Sequence, residues 1–235
     1  PLTQARANSA GGECVMNEEI LIRESVRSDL EGVSEVCCRC GYGGDDIADS
    51  GSFRDRRLFS MLFSRYYLLH ELRTCFVAVP SDDPQRVIGY VLGCPDTARY
   101  DRLFRRTMIP RIAARAFLVT LWRYPRTFAE LLRWQRGNPW LEANPAGDLF
   151  PAHLHIDILP EFQRRGIGRG LLETLEARFR GLGAGGIHLV TSNYHRKALP
   201  FYAKQGYRVI REQRHTMWSG IDDYASIVYV KELDD

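Results

Sequence analysis

The segment Gln163-Arg164-Arg165-Gly166-Ile167-Gly168 constrains the fold of this chain more than any other. It joins the alternating run HLHIDI, His153 to Ile158, to the apolar helical run GLLETLEARF, so two glycines fall where a strand ends and a helix begins. With no Cβ at Gly166 or Gly168, the backbone can approach a ligand closely. Successive amides and the positive end of the helix then suit an anion. Two nucleotide-binding patterns fail on spacing, because the segment lacks both the Gly-Lys-Ser/Thr ending of a P-loop and the three-glycine GxGxxG of a dinucleotide fold. A tight turn without a ligand is the competing reading of a lone GxG.

The rest of the chain supplies strands and helices in an α/β order. Strands are expected at Ile20–Ser25, Cys75–Val79, Arg86–Leu92, Leu154–Ile158, Gly186–Thr191 and Tyr207–Arg211. A last strand near Ile227–Lys231 returns antiparallel to its predecessor. Ser28 stands three residues before Glu31, a capping-box spacing that predicts a helix from there to about Cys40. Phe53 to His70 carries Leu58, Met61, Leu62, Tyr66 and Leu69 at helical spacing toward one side. Residues 95–151 differ in character: aromatics alternate with arginines, and Pro110, Pro125 and Pro139 break the pattern into short helices that read as a lid or substrate wall. Residues 1–17 are small and polar and read as a disordered tail or an expression remnant, leaving one domain over 18–235.

Composition narrows the class. The hydrophobic fraction of 45% suits a globular chain with one sizeable core, and a net charge of +3 gives only a mild bias toward anions. No run of about eighteen apolar residues is present, so no membrane partner is expected and a cytoplasmic location is the default. The six cysteines include the cluster Cys37, Cys38 and Cys40, but no second pair follows at metal spacing, so no metal is expected and the thiols read as buried and reduced. Ten arginines lie between Arg99 and Arg136. They suit an acidic substrate group, ring stacking, a homodimer contact or a solvated face; nucleic acid is the weakest reading because no recognised binding module accompanies them.

Strict alternation puts His153, His155 and Asp157 on one face of their strand. Three polar groups on an interior strand carry a desolvation cost unless they border water, ligand or each other, which points to a cleft. Asp157 and His155 are both candidate bases, with Asp157 ranked first for its nearness to the glycine loop; the alternative is that they pair structurally.

Strand, QRRGIG and GLLETL together resemble the acetyl-CoA signature of the GCN5-related N-acetyltransferases (GNAT), whose pattern is Q/R-x-x-G-x-G/A. Asn193, ALPFY at Ala198 to Tyr202, and QGY at Gln205 to Tyr207 resemble the second block of that family. The resemblance covers roughly residues 153–210. It implies a GNAT acyl-CoA acyltransferase fold, α/β with a central mixed, mostly antiparallel sheet flanked by helices. It further implies acetyl-CoA as cofactor and acetyl transfer to a primary amine on a small molecule or a protein. By the same resemblance, the amides of Gln163, Arg164, Arg165, Gly166, Ile167 and Gly168 hold the pyrophosphate. The backbones of Ile156, Ile158 and Leu159 accompany the pantetheine, Asn193 contacts it or a bound water, and Tyr202 protonates the leaving thiolate; on its own spacing Tyr202 also reads as a packed aromatic. A narrower likeness, carried by HLHIDILPEFQRRGIGRGLL and FYAKQGYRVI, is to the acetyltransferase-like domain of O-GlcNAcase and its free-standing bacterial relatives. A CoA-binding or protein-interaction module without catalysis is the rival function.

Overall fold

The computed structural model describes residues 19–137, 146, 149–215, 218 and 221–233; the expected tail and Pro139 lie outside the described residues. Seven strands form one sheet: β1 (Ile20–Glu24), β2 (Cys75–Pro80), β3 (Gly89–Cys94), β4 (Ala152–Ile158), β5 (Gly186–Ser192), β6 (Arg208–Arg214) and β7 (Ala225–Glu232). Their order is β1-β2-β3-β4-β5-β7-β6, and every neighbouring pair is antiparallel except β4 and β5. The last strand therefore inserts between β5 and β6, pairing with both. Strands β2 and β3 are buried at every residue, as expected of central strands covered on both faces.

Helix α1 (Leu30–Cys40) and helix α7 (Ile167–Gly181) both pack on β3 and β4. Buried Leu171, Leu175 and Phe179 of α7 and Val33, Val36 and Cys37 of α1 bring their apolar faces into one core. Helix α8 (Ala198–Lys204) follows β5. No helix among the described residues is long and apolar enough to cross a membrane.

The start of α1 departs from the capping-box expectation. A short 3₁₀ turn, Arg27–Asp29, precedes it; Asp29 stands at the N-cap of α1 without a side-chain cap bond to the helix, and its carboxylate instead accepts the Val26 N–H at the start of the turn at 2.8 Å. Arg23 holds that carboxylate with two hydrogen bonds of 2.8 Å, an ion pair that local spacing cannot reveal. The run from Phe53 to His70 splits into α2 (Arg56–Phe63) and α3 (Arg65–His70) at Ser64, whose hydroxyl donates back to the Ser60 carbonyl at 3.3 Å. The break rotates α3, so Leu69 faces outward while Tyr67 and Leu68 are buried.

Between β3 and β4 stand α4 (Thr97–Arg115), a π-helical turn (Ala116–Thr120), α5 (Leu121–Arg123) and α6 (Pro125–Gly137). Pro110 lies inside α4 instead of breaking it. Its ring and Arg106 are both exposed, so the carbonyl that loses a partner is not sealed from water. Pro125 begins α6, where a missing N–H costs nothing. Asp55 fastens this unit to α2: its carboxylate, only 1% exposed, caps the Leu58 N–H at 3.0 Å and accepts from Arg115 Nη2 at 2.7 Å and Thr120 Oγ1 at 2.7 Å. Thr120→Val keeps the shape but leaves a buried carboxylate one donor short. It is expected to cost about 2 kcal/mol. Thermal unfolding should show a midpoint lower by about 4–8 °C.

Candidate functional site

Parallel strands β4 and β5 are paired only at Ala152↔Ile187 and His153↔His188. Beyond that point β4 runs on to Ile158 and β5 to Ser192 with no pairing between them. A cleft of about 90 Å³ lies where they part; its walls include Leu154, His155, Ile156 and Asp157 from β4, Val190 and Thr191 from β5, and Tyr202 of α8.

The glycine loop follows β4 directly. Arg164 and Gly166 both take left-handed backbone conformations, φ 62° and 82°, which curl the chain into the first turn of α7. Among the described residues, no backbone acceptor is bonded to the amides from Arg164 through Arg169; the Gly170 N–H, donating to Gly166 O at 3.1 Å, is the first in the helix to be paired. Gly166 has open space where a Cβ would stand. Gly168 is different: a Cβ there would lie 3.1 Å from Phe201 Cζ and 3.2 Å from Ile158 Cδ1, so a side chain would press on the packing of α7 against β4 and α8. Gln163 Nε2 donates to the Ile158 carbonyl at 2.9 Å and ties the loop to its strand. Arg164 and Arg165 are exposed, whereas the Ile167 side chain is buried.

Two positions expected beside a pantetheine arm are engaged elsewhere. The Leu159 N–H donates to Ile88 O at 3.0 Å, and its carbonyl accepts from the Phe162 N–H at 2.9 Å. Asn193 uses both ends of its side-chain amide to fasten β5 to β7, donating to Asp223 O at 2.7 Å and accepting the Ala225 N–H at 2.9 Å. The backbone of Leu159 and the side chain of Asn193 are thus both hydrogen-bonded within the chain. Ile156 lines the cleft, and Ile158 forms the β4 end beneath the loop.

The polar face of β4 divides in function. His153 is held by Thr97 Oγ1 at 2.7 Å and Tyr67 OH at 2.9 Å, a closed buried network. His155 and Asp157 converge on a residue that sequence reasoning missed, Tyr90, the register partner of Asp157 on β3. The Tyr90 hydroxyl donates to Asp157 Oδ2 at 2.5 Å and lies 2.9 Å from His155 Nδ1. With the tyrosine proton given to Asp157, His155 Nδ1 carries its own hydrogen and donates to the tyrosine oxygen. His155 Nε2 is then a bare acceptor, without a hydrogen-bond partner among the described residues, on a side chain 30% exposed. Burial pushes Asp157 up to about 7, against the Tyr90 hydrogen bond, while burial and then His195 push His155 down to about 4. Near neutrality their 3.7 Å contact is therefore not an ion pair.

Tyr202 is only 6% exposed and packs on Phe201 and Tyr229, with centroids 5.3 and 5.5 Å away. Its hydroxyl has no hydrogen-bond partner among the described residues, and burial raises its pKa above the usual tyrosine value, so it remains protonated. His195 also lines the cleft, its Nε2 buried without a hydrogen-bond partner among the described residues. Cys37 and Cys40 line it as well, but burial holds both thiols far above neutrality, so neither is a thiolate nucleophile.

A sheet parted at its parallel seam, with an unpaired helix N-terminus at one end of the opening, defines an acyl-CoA acyltransferase fold. A family model for the acetyltransferase (GNAT) family matches residues 47–207, and the chain belongs to that family. Among solved structures it is similar to SsHAT, at 27% identity and a TM-score of 0.72, over 92% of this chain and 99% of that one. It is also similar in fold to a phosphinothricin acetyltransferase from Sinorhizobium meliloti in complex with AcCoA (15% identity, TM-score 0.54, 91% of this chain and 88% of that one). A third likeness is to the ribosomal-protein-S18-alanine N-acetyltransferase of Escherichia coli (13% identity, TM-score 0.52, 92% and 95%).

Proposed function

We propose that this chain transfers the acetyl group of acetyl-CoA to a primary amine. The observation that carries the reading is the placement of His155 and Asp157, joined through the buried Tyr90 hydroxyl, on the cleft between β4 and β5, with the unpaired amides of Arg164 to Arg169 just beyond the end of β4. The amides suit a pyrophosphate and the parted strands suit a pantetheine arm. Acetyl-CoA supplies an activated acyl carbon and a thiol leaving group.

The residues of the chain divide the proton work. His155 Nε2 takes a proton from the attacking nitrogen while Nδ1–H passes to the Tyr90 oxygen and the Tyr90 proton passes to Asp157. The imidazole changes tautomer without ever becoming cationic, which is why a histidine pushed down to about 4 still serves. Asp157, at about 7, holds the proton at the end. The ranking from sequence puts Asp157 first, acting directly or through water; we place His155 as the contacting group of a relay instead, because Asp157 is the deeper of the two at 9% exposure. Tyr202 donates to the departing sulfur as the carbon–sulfur bond breaks.

The motif HLHIDILPEFQRRGIGRGLL supports placing the chain near the acetyltransferase-like domain of O-GlcNAcase, and we read residues 95–151 as the acceptor-side wall of a single domain. A cytoplasmic location accords with five buried, free cysteines among the described residues.

Calorimetry with CoA, paired with acceptor-dependent thiol release from acetyl-CoA, tests the reading. Tight CoA binding without release across a broad amine and peptide screen would support the non-catalytic module. Tyr202→Phe should lower the single-turnover rate by only about three- to tenfold at unchanged CoA affinity, since a thiol of pKa about 8.5 needs little help to leave.

A further inference from the structure

A second, larger cavity of about 610 Å³ opens from the cleft, sharing Phe63, Leu154, His155, Leu189 and Val190 with it. Helices α4 and α6 roof it, and its walls are mainly apolar and aromatic, including Tyr100, Phe104, Ile112, Leu131 and Trp134. The volume falls within the roughly 300–1,000 Å³ of small-molecule sites. Since His155 stands at the junction, a ligand filling this cavity presents its reacting end to the relay.

We infer that this cavity is the acceptor site and that the acceptor is a primary amine carried on an apolar, ring-bearing body. The inference rests on the acetyl-transfer reading and specifies its substrate. Two observations select the class. The walls, with Tyr100, Phe104, Ile112 and Trp134 among them, match a ring in size and polarity better than they match the several hydroxyls of an amino sugar. Among the described residues Asp101 is the one carboxylate lining the cavity, and Arg105 lines it too, so little opposite charge awaits a polycation.

Tyramine, phenethylamine, glucosamine and spermidine are the probes, used in calorimetry on CoA-saturated protein and in thiol-release assays with acetyl-CoA. Tyramine should exceed glucosamine and spermidine in kcat/KM by at least about tenfold. Phe104→Ser should raise its KM about tenfold at wild-type CoA affinity. Glucosamine or spermidine used as well as tyramine would overturn the inference, as would an unchanged KM for tyramine in that variant. Failure of CoA to bind, or tyramine binding without thiol release, would instead count against the transfer reading; in the second case the occupancy of the cavity stands.

Discussion

Asp157→Asn is expected to lower the single-turnover rate of acetyl transfer by about 10³-fold, within the range of a general base, while CoA affinity changes little. The amide keeps the shape but cannot receive the relayed proton. His155→Gln should fall to a similar rate, and the double variant scarcely lower, because groups acting as one chain are not additive in their losses. The pH profile carries a second signature. The relay accepts a proton only when Asp157 is ionised, so the wild-type rate rises with pH and bends near 7. That bend should vanish in Asp157→Asn, leaving only the titration of the acceptor amine. An Asp157→Asn rate within a few-fold of wild type, measured in single turnovers, would remove the relay.

The second large effect lies in the glycine loop. Gly166→Asp is expected to weaken CoA binding about hundredfold, by placing a carboxylate among amides that await a phosphate. Gly166 suits the test better than Gly168, where a side chain would press on Phe201 and Ile158 and report on packing. At Gly166 a new side chain meets open space, and aspartate tolerates a φ of 82° better than most residues. Gly166→Asn, uncharged and similarly tolerant, serves as the control and should lose far less affinity. Equal affinity for CoA in folded Gly166→Asp would move the pyrophosphate away from this loop.

Much of the frame was legible because it depends on short-range patterns. Alternation in HLHIDI gave β4 and its polar face, and the strand–glycine–helix order of residues 153–175 marked the loop. What could not be read depends on pairs distant in the chain. Tyr90 meets Asp157 only because β3 and β4 align in a particular register, and GYVLGC carries no sign of that alignment. The engagement of Asn193 likewise needs Asp223 and Ala225, some thirty residues on. The continuous α4 was misjudged from Pro110 because local propensity does not say that the ring falls on an exposed face.

The two-residue seam between β4 and β5 bears on how the molecule holds together as well as on what it holds. One block, β1 to β4, and another, β5 with β7 and β6, are each knit by long antiparallel ladders, yet few sheet hydrogen bonds run between them. Coupling between the blocks therefore runs less through the sheet than through side chains: Glu176 of α7 reaches Tyr207 and Lys231, and Trp218 packs on Tyr42, Phe53 and Trp134. A ligand arm lying along the parted edges would act as a splint. Its binding would be felt as stiffening of the sheet at its seam, and its departure would return that seam to two paired residues.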